Sequence, residues 1–323
     1  VGESNTIYLW GSLFTCGYSN TPFQTGIPVT SPFAVDFDKE ITAIDFYFSD
    51  IIILTKDGTA YSLGEASMFG YIIGRMGTVE NSPVFLKPIP LNVPEKITQA
   101  SSTSGYFFLL GESGKIYYAR TFFGDEAIPN EEILSQLPYD ISPPVFREIP
   151  SPVRFTKISA SSFEDHPQGN IYKHMPLYAL SAQGELYFWQ YETEYPDHTP
   201  PDPSLQKIEL PEPISDMSDN NGGFNLFLSS AGNLYAAGNL PAALSGLSST
   251  DPTMLPAKLP YSGIECFSSP GNNLIYRGQN GEVHVVGDGG HGELFLPVVP
   301  IYYSMSKFTP DQTLELFQFH PEN

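Results

Sequence analysis

One spacing recurs along this chain and restricts what it can fold into. Ile41 lies 17 residues before Gly58, Ile97 lies 17 before Gly114, and Ile264 lies 17 before Gly281. Each interval holds two short apolar runs, such as Ile41-Thr-Ala-Ile44 with Ile51-Ile-Ile-Leu54, or Ile97-Thr-Gln-Ala100 with Tyr106-Phe-Phe-Leu-Leu110. Runs this short, bounded by turn residues, read as strands rather than helices. Each closing glycine then leads into an aromatic strand: Ala60-Tyr-Ser-Leu-Gly64, Ile116-Tyr-Tyr-Ala119, Leu186-Tyr-Phe-Trp189, Leu234-Tyr-Ala-Ala-Gly238 or Val283-His-Val-Val286. The chain's own start, Ile7-Tyr-Leu-Trp-Gly11, has the same form.

Successive closing glycines, at positions 58, 114, 184, 232 and 281, are 56, 70, 48 and 49 residues apart. A period near fifty with about four short strands per unit is that of a β-propeller blade. Six openings divide the chain at about residues 7–59, 60–115, 116–185, 186–233, 234–282 and 283–319, all within a single domain over 1–323. The expected fold is all-β: one closed propeller of six or seven four-stranded blades. The last unit fades into Thr313-Leu-Glu-Leu-Phe-Gln-Phe319, so the ring is expected to close by pairing of the N- and C-terminal strands, which removes exposed edges. The third unit is the longest. Its extra length falls in 124–137, where Pro129-Asn-Glu-Glu-Ile-Leu134 has the form of a helix start, and in a polar loop from Phe163 to Met175.

Composition agrees with short strands and frequent turns: 23 Phe and 19 Tyr stand beside 30 Pro and 28 Gly. Charged residues are only 16% of the chain, too few for a coiled coil, in a background too hydrophobic for general disorder. The net charge of −21 repels phosphate backbones and argues against direct nucleic-acid binding. No stretch of 18 uninterrupted apolar residues is present, so no membrane insertion by a helix is expected. Two cysteines, Cys16 and Cys266, make no disulfide framework and point to a reducing, cytoplasmic or other intracellular compartment. The N-terminal Val-Gly-Glu-Ser-Asn-Thr lacks both an initiator Met and a basic-then-apolar pattern, which leaves open a leader removed by processing.

Trp10-Gly11 and Val286-Gly-Asp-Gly-Gly-His-Gly-Glu-Leu294, set within these repeats, resemble the regulator-of-chromosome-condensation repeat family over about residues 7–319. The chain departs from that pattern where the family's units carry Gly-x-x-His. Asp50, Tyr106 and Asn273 stand at the histidine position, and Trp-Gly survives intact only at Trp10-Gly11. The resemblance implies a propeller, usually of seven blades, and either nucleotide exchange on a Ran-like small GTPase or a plain binding role. No inserted wedge of the kind the exchange reading would need is recognisable in the sequence. Chromatin docking, which relies on basic groups, conflicts with the charge.

No catalytic constellation, P-loop or nucleophile elbow appears. Asp165-His166 and Asp197-His198 look like metal or acid–base pairs, yet no His-x-x-x-His or Cys-x-x-Cys spacing accompanies them, and loop polarity accounts for both. Gly287-x-Gly289-x-x-Gly292 matches a dinucleotide fingerprint without the helix that must follow it. No cofactor, no metal and no catalytic residue is therefore expected. The candidate partner-binding residues lie on departures from blade geometry: Asp125, Glu126, Glu131 and Glu132 on one acidic loop, and Tyr191, Glu192, Glu194 and Tyr195 on another. Asp288 and His291 lie in the glycine-rich turn that carries the family resemblance. Long loops on a regular scaffold carry function disproportionately, and aromatics anchor protein interfaces. The function expected is a non-catalytic platform offering acidic and aromatic groups to a protein partner, within a larger complex or alone. The alternative is an exchange or regulatory factor for a Ran-like small GTPase.

Overall fold

The computed structural model describes residues 6–11, 29–35, 37–47, 50–65, 84–103, 106–120, 146–165, 172–174, 176–189, 192–194, 204–218, 223–245, 253–269, 271, 273–287 and 306–308. They form a β-propeller. β1 (Ile7–Gly11) and β2 (Val29–Val35) make a two-stranded antiparallel sheet. The first four-stranded blade is β3 (Ile41–Tyr47), β4 (Asp50–Thr55), β5 (Ala60–Glu65) and β6 (Val84–Pro90). The second is β7 (Ile97–Ser102), β8 (Tyr106–Gly111), β9 (Ile116–Arg120) and β10 (Arg147–Glu148).

The chain then runs through β11 (Phe155–Ala160), β12 (Phe163–Asp165), β13 (Tyr172–His174), β14 (Leu177–Ser181), β15 (Leu186–Trp189), β16 (Glu192–Glu194) and β17 (Gln206–Ile208). Of these, β11-β14-β15-β17 form the third blade and β12-β13-β16 a separate three-stranded sheet. The fourth blade is β18 (Ile214–Met217), β19 (Phe224–Ser229), β20 (Leu234–Gly238) and β21 (Thr253–Lys258), with a four-residue helix, α1 (Ala242–Ser245), before its last strand. The fifth is β22 (Ile264–Ser268), β23 (Leu274–Gly278), β24 (Val283–Val286) and β25 (Ser306–Phe308).

The second, third and fourth blades are buried on both faces against their neighbours, which is why their second strands are buried throughout instead of alternating, whereas β23 of the fifth exposes Arg277. All six residues of β8 and of β19, and all five of β14, are buried. Between the second and third blades, Tyr106, Phe108, Leu110, Phe155, Ile158 and Trp189 pack as one cluster; between the first and second, Ile52, Leu54, Ile97, Phe107 and Leu109 do the same.

The recurring 17-residue spacing has a structural cause. The five closing glycines all adopt φ between 78° and 84°, the left-handed conformation that a three-residue hairpin turn requires and a side chain disfavours. Their N–H groups close the turn, as in Gly58 N to Thr55 O at 2.8 Å. Their carbonyls reach the next blade: Gly58 O accepts from Ile97 N at 2.8 Å, Gly114 O from Phe155 N at 2.9 Å, Gly184 O from Ile214 N at 2.9 Å and Gly232 O from Ile264 N at 3.0 Å. The apolar residue that opens the innermost strand of the second to fifth blades is thereby stapled to the preceding turn.

One residue on, all five innermost strands carry a β-bulge. In four of them the bulged residue is Thr or Ser, and its hydroxyl bonds a carbonyl of the second strand. Thr42, Thr98 and Thr156 donate to Leu54 O, Leu110 O and Leu180 O at 3.2 Å, and Ser215 donates to Leu228 O at 3.1 Å. The fifth blade has Glu265 there, paired with Arg277 at 2.8 Å.

The expectation of six or seven four-stranded blades is corrected: the described residues form five. Five of the six repeat openings, β5, β9, β15, β20 and β24, are the third strand of a four-stranded blade, and the first, β1, pairs only with β2 among the described residues. Thr313–Phe319, expected to close the ring, and the helix start expected at 129–134 lie outside the described residues. The polar loop expected from Phe163 to Met175 is also corrected, because it contains two paired strands, β12 and β13.

Candidate functional site

In four blades only two to six residues separate the first two strands, as between Ser102 and Tyr106. The third joins β11 to β14 through the β12–β13 hairpin, with Phe163 opposite His174, Glu164 opposite Lys173 and Asp165 opposite Tyr172. β13 also pairs with β16: Tyr172 opposite Glu194, Lys173 opposite Thr193 and His174 opposite Glu192. Two residues separate β11 from β12, β13 from β14, and β15 from β16. The small sheet thus repeats the blade's order β11-β14-β15 strand for strand, continuing three blade strands past the end opposite the closing turn.

Pro176 explains why it is a second sheet and not a longer blade. Ser161 N donates to Pro176 O at 3.1 Å, but Pro176 has no N–H to return, so the ladder is interrupted there.

The root of this projection is held from both sides. Gln99 of the second blade makes two hydrogen bonds to the backbone of Ile158: its Nε2 donates to Ile158 O and its Oε1 accepts from Ile158 N, both at 2.8 Å. Ala160 N donates to Ser101 Oγ at 2.9 Å. From the fourth blade, Asn225 Nδ2 donates to Ser159 Oγ, and Asp216 pairs with Lys157 at 2.8 Å. Further round, Ser102 Oγ donates to Asp45 Oδ2 of the first blade at 2.7 Å. Ser101, Ser102, Ser159 and Asn225 are all buried, where a satisfied polar contact fixes relative position. Trp189, the last residue of β15, is buried edge-on against Tyr106, with ring centroids 5.0 Å apart, and against Phe108 at 5.7 Å. The strand that becomes β16 therefore leaves from a fixed point.

Glu192 and Glu194 fall on β16 and are brought into one sheet with Glu164, Asp165, Lys173 and His174. Asp125, Glu126, Glu131, Glu132, Tyr191, Tyr195, Asp288 and His291 lie outside the described residues, as do His166 and His198. The sequence shows no recognisable inserted wedge; the structure places an extra pair of strands, β12 and β13, between the first and second strands of the third blade. A signal was present: Phe155 to Gly184 spans 29 residues where the other units span 17 or 18, and the excess falls between the first and second strands.

Among the described residues no group of three or more His, Cys, Asp or Glu side chains could hold a metal ion, and no helix is long and apolar enough to cross a membrane. At the closing-turn end, carboxylates are used internally: Glu95 accepts from Ser113 N at 2.8 Å and from Ser113 Oγ and Tyr117 OH at 2.7 Å. Burial pushes the Glu95 carboxyl up, but these donors outweigh it and hold it below the usual carboxylate value.

No family model and no curated protein matches the chain by sequence. Solved structures do match it by fold. Human WBSCR16 is 14% identical with a TM-score of 0.62, the match covering 97% of this chain and 81% of that one. Yeast RCC1 (Prp20), crystallised bound to Kap60, is 15% identical with a TM-score of 0.60, covering 96% of this chain and 72% of that one. The chain has the fold of the regulator-of-chromosome-condensation propellers, in a divergent sequence.

Proposed function

We propose that this propeller is a non-catalytic protein-binding platform and that its docking element is the sheet β12-β13-β16. The observation that carries this reading is the projection itself: a sheet built on three blade strands and cross-linked at its root to both neighbouring blades. A projection fixed in this way spends little ordering entropy on binding, which is what a docking element needs. Its strands carry Glu164, Asp165, Glu192 and Glu194 in sequence alongside Lys173 and His174, so a basic partner surface is the complementary one, steered by the chain's net charge of −21. That yeast RCC1 is bound to Kap60 in its crystal supports a protein-binding role for this fold. The exposed thiol of Cys266 suits a reducing intracellular compartment.

The same projection favours a second reading, regulation of a small GTPase. The family resemblance implies exchange activity for some members, and an inserted wedge in one blade is the feature that reading requires. One experiment serves both. The tagged chain and a variant with 163–174 replaced by a short turn are used for affinity purification from the native source, with partners identified by mass spectrometry. Loss of stoichiometric partners with the variant supports the docking element, and equal recovery overturns it. A small GTPase held without nucleotide and released by GTP assigns the regulatory reading; its absence leaves the scaffold.

A further inference from the structure

Three connections between blades share one frame. Leu91-Asn-Val-Pro-Glu-Lys-Ile97 leads into the second blade, Ile149-Pro-Ser-Pro-Val-Arg-Phe155 into the third and Ile208-Glu-Leu-Pro-Glu-Pro-Ile214 into the fourth. In the first and last of these, the residue before the shared proline, Val93 or Leu210, packs on the core. The residue after that proline is a glutamate bound within its own blade: Glu95 accepts from Ser113 and Tyr117, and Glu212 from Asn233 Nδ2 at 2.9 Å. The connection into the third blade reverses this order. Val153, after the proline, packs on the core, and Ser151 stands before it in the place of Val93 and Leu210. Ser151 Oγ accepts from Val153 N at 3.1 Å, a bond that uses a lone pair and not the O–H hydrogen.

The surroundings of Ser151 have the form of a kinase substrate. Ser151 is half-buried between exposed Pro150 and Pro152, and Arg154 is exposed three residues on. A proline biases the residue before it toward extended backbone, the form in which a protein kinase takes its substrate. Eight Ser-Pro or Thr-Pro pairs occur in the chain, beginning at 21, 31, 82, 143, 151, 199, 269 and 309, and only Ser151 has a basic residue at the third position after it. The segment is also basic within an acidic chain: residues 146–157 hold Arg147, Arg154 and Lys157 against Glu148, and Glu148 pairs with Lys115 at 2.8 Å. A phosphate is stabilised beside arginines and disfavoured beside carboxylates, so this is the charge setting that accepts one.

We propose that Ser151 is a phosphorylation site for a proline-directed kinase that reads a basic residue three positions on. Ser151 Oγ attacks the γ-phosphorus of ATP, the bond from that phosphorus to the β–γ bridging oxygen breaks, ADP leaves, and the hydroxyl proton passes to the kinase's catalytic carboxylate. The product carries close to two negative charges near the Val153 N–H and in sequence reach of Arg154, groups suited to charge-assisted bonds. The proposal is independent of the docking reading above. Phe155 N is held to Gly114 O of a closing turn, so this connection lies at the end of the blades opposite the projection.

The test incubates the folded full chain with ATP and a purified cyclin-dependent kinase and reads incorporation by intact mass and peptide mapping. One phosphate at Ser151 is expected, and S151A is expected to lose it. P152A should slow incorporation at Ser151 at least about tenfold and R154Q about tenfold, with circular dichroism unchanged in each. Incorporation that persists in S151A, or a rate unchanged in P152A or R154Q, overturns the assignment. A peptide of residues 146–157 is run in parallel: if the peptide is phosphorylated and the folded chain is not, the fold withholds the serine and the proposal fails. The phosphopeptide is also expected in chain isolated from its native source with phosphatases inhibited, and its absence there overturns the site.

Discussion

At the scale of single residues, the closing glycines are the positions least open to change. A Cβ on Gly114 would stand 2.9 Å from Phe155 O, the start of the next blade, at a φ of +78°. Gly114→Ala is expected to cost about 2–3 kcal/mol, from left-handed strain plus a displaced inter-blade bond. Gly263→Ala is the control, because Gly263 has φ +67° but open space around it, and its cost is expected to be only about 1 kcal/mol. Urea midpoints at constant slope distinguish the two.

The bulge hydroxyls are a smaller, repeated contribution. Thr98→Val removes the donor to Leu110 O and is expected to cost about 0.5–1 kcal/mol, whereas Thr98→Ser keeps most of it. Glu95 supplies a pH dependence. Its folded-state pKa lies below its unfolded value, so its contribution is fully present above the unfolded pKa and is lost as pH falls through the folded one. Glu95→Gln should therefore lower stability at neutral pH, and the gap to the parent chain should close on acidification below about pH 4.5. Parallel denaturation curves at several pH values read the difference; a gap that stays constant would refute the assignment.

At the scale of elements, the third blade does two jobs with one set of strands. β11, β14 and β15 form the buried interior of the blade and then continue, beyond the break at Pro176, as the projecting sheet. Trp189 joins these roles, since it fills the core between the second and third blades at the point where β15 gives way to β16. Trp189→Ala is expected to destabilise the protein by about 3–5 kcal/mol through the cavity it leaves, with Trp189→Phe costing less. Hydrogen exchange should show faster exchange at 192–194 in Trp189→Ala than at the closing turns of the first blade. Uniform acceleration would mean that Trp189 supports the whole ring and not the projection in particular.

At the scale of the whole molecule, acidity and repetition act together. Blades buried on both faces form a rigid scaffold, and the excess of carboxylates sets which partners approach it. Partner affinity is accordingly expected to fall steeply between low and high salt, mostly through the association rate; an affinity that barely changes would remove charge steering from the account.

The sequence by itself determined the blade. Its information is local and periodic: an apolar residue that opens the inner strand, a doubly apolar second strand, a glycine in the turn and an aromatic third strand. Each of these answers to backbone sterics or to burial on two faces, and so leaves a residue-type record. The Thr or Ser at the bulge recurs in four of the five blades, but it reads as an ordinary strand residue until the bulge leaves a carbonyl for it to bond. The tertiary structure alone decided how units map onto sheets, because a unit that opens on the third strand of one sheet and ends in the next hides the count of complete blades. It also decided the projection. Phe163-Glu-Asp165, Tyr172-Lys-His174 and Glu192-Thr-Glu194 are too polar and too short to register as strands. Pairing holds them because β11, β14 and β15 already deliver them side by side. Strands made by their neighbours' positions, and not by their own apolar pattern, leave little trace in sequence.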